Sequence, residues 1–253
     1  MNFAVYPSLA DRVVLVTGGS SGIGAALVTA FVGQGARVAF LDIDSAGAQA
    51  VVEANKTHRH TPLFIECDLV SVDALRAAVS RVESSLGAVR VLVNNAANDD
   101  REDFREVTPE SWDWSFAVNL RHMYFAAQAV APAMAAAGGG AIVNLGSVAW
   151  RQGCPDLSVY GTAKAGVVGL TRSLARRLGS LAIRVNTITP GWTMTERQLR
   201  LWATSENLAS ALEQQCLKRR IEPDAVARLA LFLAADDSSF CTGGDFPIDA
   251  GTF

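Results

Sequence analysis

The fold is indicated most clearly by the segment Val13-Val14-Leu15-Val16-Thr17-Gly18-Gly19-Ser20-Ser21-Gly22-Ile23-Gly24. Here an apolar run is followed directly by glycines and then by a helical pattern at 25–34. Glycines at these positions permit a tight turn and a close approach of the backbone to a phosphate. Free N–H groups and the dipole of the following helix attract anions. The pattern predicts a strand–turn–helix unit, although such turns also serve as plain connections. The residues that would hold a pyrophosphate are Gly18, Ser20, Ser21, Gly22, Ile23 and Gly24.

Short apolar runs recur along the chain and alternate with longer helical patterns. They lie at 13–16, 38–41, 63–65, 89–93, 141–145, 183–188 and 246–248. Nearly every position in these runs is apolar, which favours strands covered by helices on both faces, as in a parallel sheet. With right-handed crossovers, the chain is predicted to be an α/β protein with a three-layer αβα Rossmann fold and a doubly wound parallel sheet. We expect one domain, 1–253, with a helical lid over the substrate at about 195–217.

Composition limits the classes of partner. Half of the residues are hydrophobic, 19% are charged and the formal net charge is −3, so a disordered chain is excluded and nothing attracts nucleic acid or an acidic membrane. No run of about 18 apolar residues and no leader pattern is present. We expect a cytoplasmic protein whose partners are small molecules or copies of itself.

The cysteines and histidines give little sign of a metal site. Four cysteines occur without a CxxC pair, which argues against a thiolate metal site and against a disulfide framework. His58 and His60 with Cys67 have the residue types of a metal site, but the surrounding segment, 55–62, has the composition of a polar loop. No metal is expected.

The end of the second run carries a candidate ribose ligand. Asp42 lies eighteen positions after Gly24, within Leu41-Asp42-Ile43-Asp44. Its carboxylate can accept hydrogen bonds from both ribose hydroxyls and would repel a 2′-phosphate, and no Arg or Lys stands in the glycine loop to offset that charge. We therefore predict NAD rather than NADP, with Ile43 beside the same ribose. Asp44 fits a helix cap better.

Two further strand ends carry small or polar groups at the expected crevice. Asp68 and Leu69 follow the third run, and Asn95, Ala96 and Ala97 follow the fourth. Asp68 is a candidate for holding the adenine amino group, and the small residues would leave room for the ribose. Each group is also ordinary turn chemistry.

A candidate chemical site follows the fifth run. Ser147 is followed thirteen positions later by Tyr160, and Lys164 lies four positions after Tyr160. The i, i+4 spacing places the last two on one helix face, where an ammonium would lower the pKa of the phenol from about 10 toward neutral pH. Tyr160 would then act as general acid or base while Ser147 holds the substrate oxygen. On spacing alone, an exposed Tyr and Lys on an ordinary helix is favoured, but the nucleotide site predicted beside the same strand end favours the chemical role.

Taken together, these residues resemble the short-chain dehydrogenase/reductase family over nearly the whole chain. The shared motifs are 17–24, Asp68, 94–96, Asn119, Ser147, Tyr160, Lys164 and 186–195. The resemblance implies that Asn119 shapes a helix kink holding a water of a proton relay and that Lys164 also binds the nicotinamide ribose. It further implies a homotetramer and contacts to the carboxamide from Pro190, Gly191, Thr193 and Thr195. Ala97 departs from the usual glycine.

Several stretches are similar to those of the bacterial aldose 1-dehydrogenases within that family: 6–9, 98–101, 119–123, 215–218 and 248–251. This similarity implies NAD-dependent oxidation of C1 of a pentose, such as L-arabinose or D-xylose, to the aldonolactone. Asn98, Gln152 and Trp192 would bind the sugar beside Ser147 and Tyr160, or lie in surface loops.

The remaining alternatives are a keto-deoxy sugar acid dehydrogenase, a 3-oxoacyl thioester reductase and a non-catalytic dinucleotide-binding sensor. The predicted sugar ligands include no cation, which favours a neutral sugar, unless Arg151 turns inward. The acidic residues at 99–103 are interpreted as a solvated loop.

Overall fold

The computed structural model describes residues 3–252. Its seven strands form one sheet in the order β3-β2-β1-β4-β5-β6-β7, and every neighbouring pair is parallel. The strands are β1 (Val13–Thr17), β2 (Arg37–Asp42), β3 (Leu63–Glu66), β4 (Val91–Asn94), β5 (Gly140–Leu145), β6 (Ile183–Pro190) and β7 (Asp245–Ile248). The α-helices are α1 (Gly22–Gly33), α2 (Ser45–Asn55), α3 (Val72–Leu86), α4 (Pro109–Phe116), α5 (His122–Ala136), α6 (Ala149–Gln152), α7 (Ser158–Leu178), α8 (Glu196–Leu201), α9 (Ser205–Gln214) and α10 (Pro223–Ala234).

Two apolar cores, one on each face of the sheet, explain why the strands are apolar at successive positions. Along β1, Val14 and Val16 pack with α1 and α10, whereas Val13 and Leu15 pack in the second core, which α3, α5 and α7 cover. Successive side chains of a strand point to opposite faces, so a strand buried on both sides needs apolar residues throughout. The three-layer αβα fold and its parallel sheet are as predicted.

Strand positions agree with the sequence to within one residue except in two places, the start of the fourth strand and the end of the sixth, which continues to Pro190. Pairing in the fourth strand begins at Val91 rather than at 89, because Val89 is buried in the core ahead of the strand and contributes packing without pairing. Among the described residues, no helix is long and apolar enough to cross a membrane.

The strand order places the functional site. The chain runs outward from β1 through β2 to β3, then returns to β4 on the other side of β1. Loops leaving the carboxyl ends of β1 and β4 therefore diverge and leave a crevice between them. The glycine loop and the 95–99 segment both enter this crevice.

Candidate active site

The glycine loop is shaped by contacts that exclude side chains. Gly18 has φ +68°, and a Cβ there would lie 2.7 Å from Cα of Ala96. A Cβ on Gly24 would lie 1.7 Å from the Gly18 carbonyl oxygen, so α1 could not start this close to β1 with any other residue. The glycines bring the helix N-terminus up to the sheet edge.

The same loop offers donors that the protein itself leaves unused. Ser21 caps α1 without a side-chain hydrogen bond, and the first residues of the helix, 22–24, line the cleft. The buried Ser20 hydroxyl has no hydrogen-bond partner among the described residues. Helix N-termini and such donors suit a phosphate. The loop therefore fits the pyrophosphate of a dinucleotide.

Asp42 is held at the end of β2 by three backbone N–H groups. Its Oδ2 accepts from Ser20 at 2.9 Å, and its Oδ1 accepts from Ile43 at 2.8 Å and Asp44 at 3.0 Å. Asp44 instead caps α2 by accepting from Gly47. The carboxylate that lines the cleft is thus Asp42, fixed in place with lone pairs to spare.

The ends of β1 and β4 are clamped together. Asn95 Nδ2 donates to the carbonyls of Thr17 at 3.0 Å and Gly18 at 2.8 Å, and the Thr17 hydroxyl accepts from the N–H groups of Asn95 and Ala96. Asn95 therefore fixes the glycine loop.

Asp68 lies exposed in the cleft, with one oxygen accepting from Val70 N–H.

Helix α7 carries the chemical residues into the cleft. Lys164 is buried, its Nζ donates to the Leu145 carbonyl at 2.8 Å and lies 5.6 Å from the centroid of the Tyr160 ring. Ser147, just after β5, also lines the cleft. Tyr160 and Lys164 thus share one helix face, and both lie beside the strand end that carries Ser147.

Burial dominates the ionisation of this pair. The expectation that Lys164 lowers the pKa of Tyr160 is wrong for this structure: burial first, and then the charge of Asp99, raise that pKa above its usual range, while Ser147 acts in the opposite direction. Burial also lowers the pKa of Lys164 to about 7, so near neutral pH its charge is itself reduced.

Asn119 occupies a helix kink, as the resemblance implied. A π-helical turn at Ala117–Arg121 joins α4 to α5. Asn119 is fully buried beneath the cleft, and its Nδ2 donates to the Asn98 carbonyl and its Oδ1 accepts from the Asn98 N–H. The side chain fixes the loop after β4, and the π-turn leaves backbone carbonyls in irregular positions.

The substrate end of the cleft contains a polar chain that the sequence did not indicate. Trp192 Nε1 donates to Gln198 Oε1 at 2.8 Å, and Gln198 Nε2 donates to Asp99 Oδ2 at 2.6 Å. The Arg197 guanidinium contacts both aspartates: its Nε donates to Asp99 Oδ1 at 3.3 Å, and its Nη2 pairs with the Asp100 carboxylate. The interpretation of 99–103 as a solvated loop therefore fails for Asp99, which is drawn into the cleft.

Of two arginines near the substrate end, Arg151 agrees with the expectation and Arg101 does not. Arg151 points away from the cleft, because its guanidinium pairs with Asp245 at 2.6 Å beneath Trp150. Arg101 instead lines the cleft and stacks on Trp202, with its guanidinium carbon 4.1 Å from the ring centroid. Arg101 is thus one cation that a charged substrate could meet, and Arg200 of α8 also lines the cleft.

One cleft of about 1540 Å³ unites almost all of the predicted residues. It is lined by Gly18, Ser20, Ser21, Gly22, Ile23, Gly24, Asp42, Ile43, Asp68, Leu69, Asn95, Ala96, Ala97, Asn98, Ser147, Gln152, Tyr160, Lys164, Pro190, Gly191, Trp192, Thr193 and Thr195. Only Asn119 of the predicted set lies behind the wall. Sequence reasoning missed Asp99, Gln198 and Arg197, whose only signal was their position after a strand end and in the predicted lid.

The segment 195–217 contains the helices α8 and α9, each capped by a threonine. Arg197 and Gln198 of α8 and Gln214 of α9 line the cleft, so the helices cover its substrate end. Their opening and closing stay a prediction.

The suspected metal residues do not converge. His60 Nε2 lies 2.7 Å from Asp11 Oδ1. Within residues 3–252, no three His, Cys, Asp or Glu side chains are placed to hold a metal ion.

Comparisons with known proteins agree with this geometry. A family model described as Enoyl-(Acyl carrier protein) reductase matches residues 18–252. The chain is 54% identical to "Probable galactose dehydrogenase GalD" of Rhizobium meliloti, over 98% of this chain and 97% of that protein. It is 49% identical to D-xylose 1-dehydrogenase of Caulobacter vibrioides over 99% of both chains. A crystal structure from Sinorhizobium meliloti that carries the name of a short-chain alcohol dehydrogenase is 31% identical, with a TM-score of 0.92 over 97% of this chain and 98% of that one.

Proposed function

Since this chain belongs to the short-chain dehydrogenase/reductase family and is an oxidoreductase acting on CH–OH groups, we propose that it oxidises the C1 hydroxyl of a free sugar. The substrate would be a pentose such as D-xylose or L-arabinose, and the product its aldonolactone. The carrying observation is that Ser147, Tyr160 and Lys164 line one cleft together with an open glycine loop. The names of the two sugar dehydrogenase relatives support the substrate class.

The residues divide the chemistry between them. When bound in its oxidised form, a nicotinamide dinucleotide held by the glycine loop and Asp42 would supply the acceptor for the hydride of C1. The Tyr160 oxygen takes the proton of the sugar hydroxyl, so the C–H and O–H bonds break as the carbonyl forms. Ser147 holds the reacting oxygen and acts to lower the pKa of Tyr160, and Lys164 would bind the ribose. Asn119 would position the water through which the proton leaves.

We propose NAD as the cofactor, within the nicotinamide dinucleotides that this family uses. Support comes from Asp42, whose carboxylate is fixed by backbone N–H groups at the end of β2. The cleft-lining cations among the described residues are Lys164, Arg101, Arg197 and Arg200, and none of them lies in the glycine loop or after β2. A 2′-phosphate at Asp42 would meet an unopposed negative charge. Asp68 would hold the adenine.

A neutral sugar is supported by the groups at the substrate end. Asn98, Gln152 and Trp192 offer amides and an aromatic wall, and Arg151 is engaged with Asp245. Amide hydrogen bonds and aromatic faces suit an uncharged polyol.

Oxidation of a keto-deoxy sugar acid is the second candidate, because Arg101 lines the cleft without a carboxylate partner in the described part of the chain. Its guanidinium could pair with a substrate carboxylate. Acyl thioester reduction draws support from the description of the family model alone. A cytoplasmic homotetramer stays part of the proposal, and sedimentation would measure its assembly.

A substrate panel tests the proposal. Purified protein with NAD is offered D-xylose, L-arabinose, D-galactose, a keto-deoxy sugar acid and a 3-hydroxyacyl thioester, and NADH formation is followed. The aldoses should give the highest kcat/KM. A clear preference for the acid or the thioester would overturn it, and NAD binding without turnover of any alcohol would indicate a sensor.

A further inference from the structure

The Asp99 carboxylate lies where the lid helix α8 meets the loop after β4. It lines the cleft, its side chain is only 29% exposed, and it accepts from Gln198 at 2.6 Å and Arg197 at 3.3 Å. Both partners belong to α8, and Gln198 in turn accepts from Trp192. Asp99 therefore connects the loop after β4, the lid helix and the aromatic wall of the substrate end.

We propose that Asp99 is a specificity-determining residue, which accepts hydrogen bonds from the hydroxyls of an uncharged sugar and excludes sugars that carry a carboxylate. The inference rests on the proposed function and goes further by assigning the discrimination to one side chain. A sugar presents hydroxyl donors along one edge, and an ionised carboxylate is an acceptor with about four lone-pair sites. Two of these are used by α8, so capacity is left for substrate hydroxyls. Such charge-assisted hydrogen bonds are stronger than neutral ones.

The charges around Asp99 favour a neutral ligand. Arg197 divides its guanidinium between Asp99 and the more exposed Asp100, so the carboxylate of Asp99 is only partly neutralised. Arg101 is exposed and stacked on Trp202 at the rim, and Lys164 is buried deeper with a reduced tendency to carry charge. A substrate carboxylate placed beside Asp99 would meet a like charge in a partly desolvated site.

A second observation places Asp99 close to the chemistry. Its charge raises the pKa of Tyr160, second only to burial, and also raises the pKa of Lys164. Asp100, which pairs with the same arginine, contributes to neither. Although the two aspartates are neighbours in sequence, only the charge of Asp99 acts on Tyr160 and Lys164.

The experiment compares Asp99→Asn with Asp100→Asn as the matched control, since Asp100 pairs with Arg197 at a site that is 61% exposed. L-arabinose, D-galactose and D-galacturonate share the ring configuration and differ in bearing hydrogen, hydroxymethyl or carboxylate at C5. D-xylose, D-glucose and D-glucuronate form a second such series. NADH formation gives kcat and KM for each.

The wild type should have a higher kcat/KM for the neutral sugars of each series than for the sugar acid. Asp99→Asn should reduce this ratio of kcat/KM values by about tenfold or more, mainly through changes in KM. Asp99→Asn should also move the acid limb of the kcat profile to lower pH, because removing a negative charge favours the phenolate of Tyr160. Asp100→Asn should leave the preference and the profile at wild-type values.

Four results would overturn the inference. An equal loss for neutral and anionic sugars in Asp99→Asn, with an unmoved pH profile, would make Asp99 a lid contact alone. The same effects in Asp100→Asn would assign them to Arg197. If the wild type oxidises no aldose, the proposed function fails and the inference with it, whereas unchanged preferences in an active Asp99→Asn defeat only the inference.

Discussion

Asn119 and Asn98 are joined by a reciprocal pair of hydrogen bonds, 2.9 Å from the Asn98 N–H to Asn119 Oδ1 and 3.0 Å from Asn119 Nδ2 to the Asn98 carbonyl. A fully buried side chain at a helix kink thus holds the backbone of the loop that faces the substrate. Because only the backbone of Asn98 takes part, the two residues can be separated by mutation.

Asn119→Ala should leave both Asn98 backbone groups unpaired, lowering the free energy of unfolding by about 1–3 kcal/mol. Displacement of the loop should also reduce kcat by up to about 100-fold. Asn98→Ala keeps both hydrogen bonds to Asn119 and loses only the exposed bond from Asp100 N–H to Asn98 Oδ1, so it should raise KM for the sugar at a smaller cost in stability. Urea unfolding and steady-state kinetics check both variants, and equal stability losses would contradict the interpretation.

Tyr160→Phe keeps the ring but removes the ionisable oxygen, so turnover should fall by about 10²–10⁴-fold while NAD affinity changes little. Titration calorimetry with NAD and NADH formation measure the two effects separately. Retention of more than about a tenth of wild-type turnover would refute the role given to this residue.

Asp42→Ala should weaken NAD binding and relax discrimination against NADP, because the acceptor for the ribose hydroxyls and the repelling charge are lost together. Asp44→Ala is the matched control: it removes the α2 cap, at a stability cost of about 1 kcal/mol, and should keep the preference. The measurement is the ratio of kcat/KM with NAD to kcat/KM with NADP for each variant. A wild-type preference for NADP would disprove the electrostatic argument.

The variants Arg101→Ala and Arg151→Ala test two different roles. Arg101 is the candidate for binding a substrate carboxylate, whereas Arg151 pairs with Asp245 and supports the fold. Arg151→Ala should destabilise the fold, since it leaves Asp245 with only the Thr189 hydroxyl, and should keep the substrate ranking. Arg101→Ala should leave kcat/KM for D-xylose within a few-fold of wild type. A strong wild-type preference for a keto-deoxy sugar acid that disappears in Arg101→Ala would move the protein to the second candidate.

His122 should make the protein sensitive to acid. It is fully buried, and burial together with the charge of Lys164 lowers its pKa to about 3 from an unfolded value of 6.5. Between those values the unfolded chain binds a proton that the folded chain does not, so stability falls by about 1.4 kcal/mol per unit as pH drops below 6.5. His122→Gln should flatten this dependence, and His58→Gln, at an exposed position, should not. Equal slopes in both variants would contradict the prediction.

Residue patterns along the chain were enough to predict the layers, the parallel sheet, the glycine loop and the side chains that converge on one cleft. These follow from local rules: glycines where no Cβ fits, apolar residues at every position of doubly covered strands, and four-residue spacing on α7. Asp44 as a cap and Asp42 as the cleft carboxylate were separable for the same reason, since a helix cap is a local contact.

The charged groups that the cleft contains could be identified only in the folded chain. Asp99 meets Gln198 across 99 positions and Arg151 meets Asp245 across 94, and no local pattern in the sequence encodes either pair. The pKa of Tyr160 shows the physical reason most directly. The spacing to Lys164 predicted a lowered value, whereas desolvation, which depends on everything packed around the ring, raises it. Ion pairing and desolvation depend on the three-dimensional surroundings of a group, and those surroundings exist only once the chain has folded.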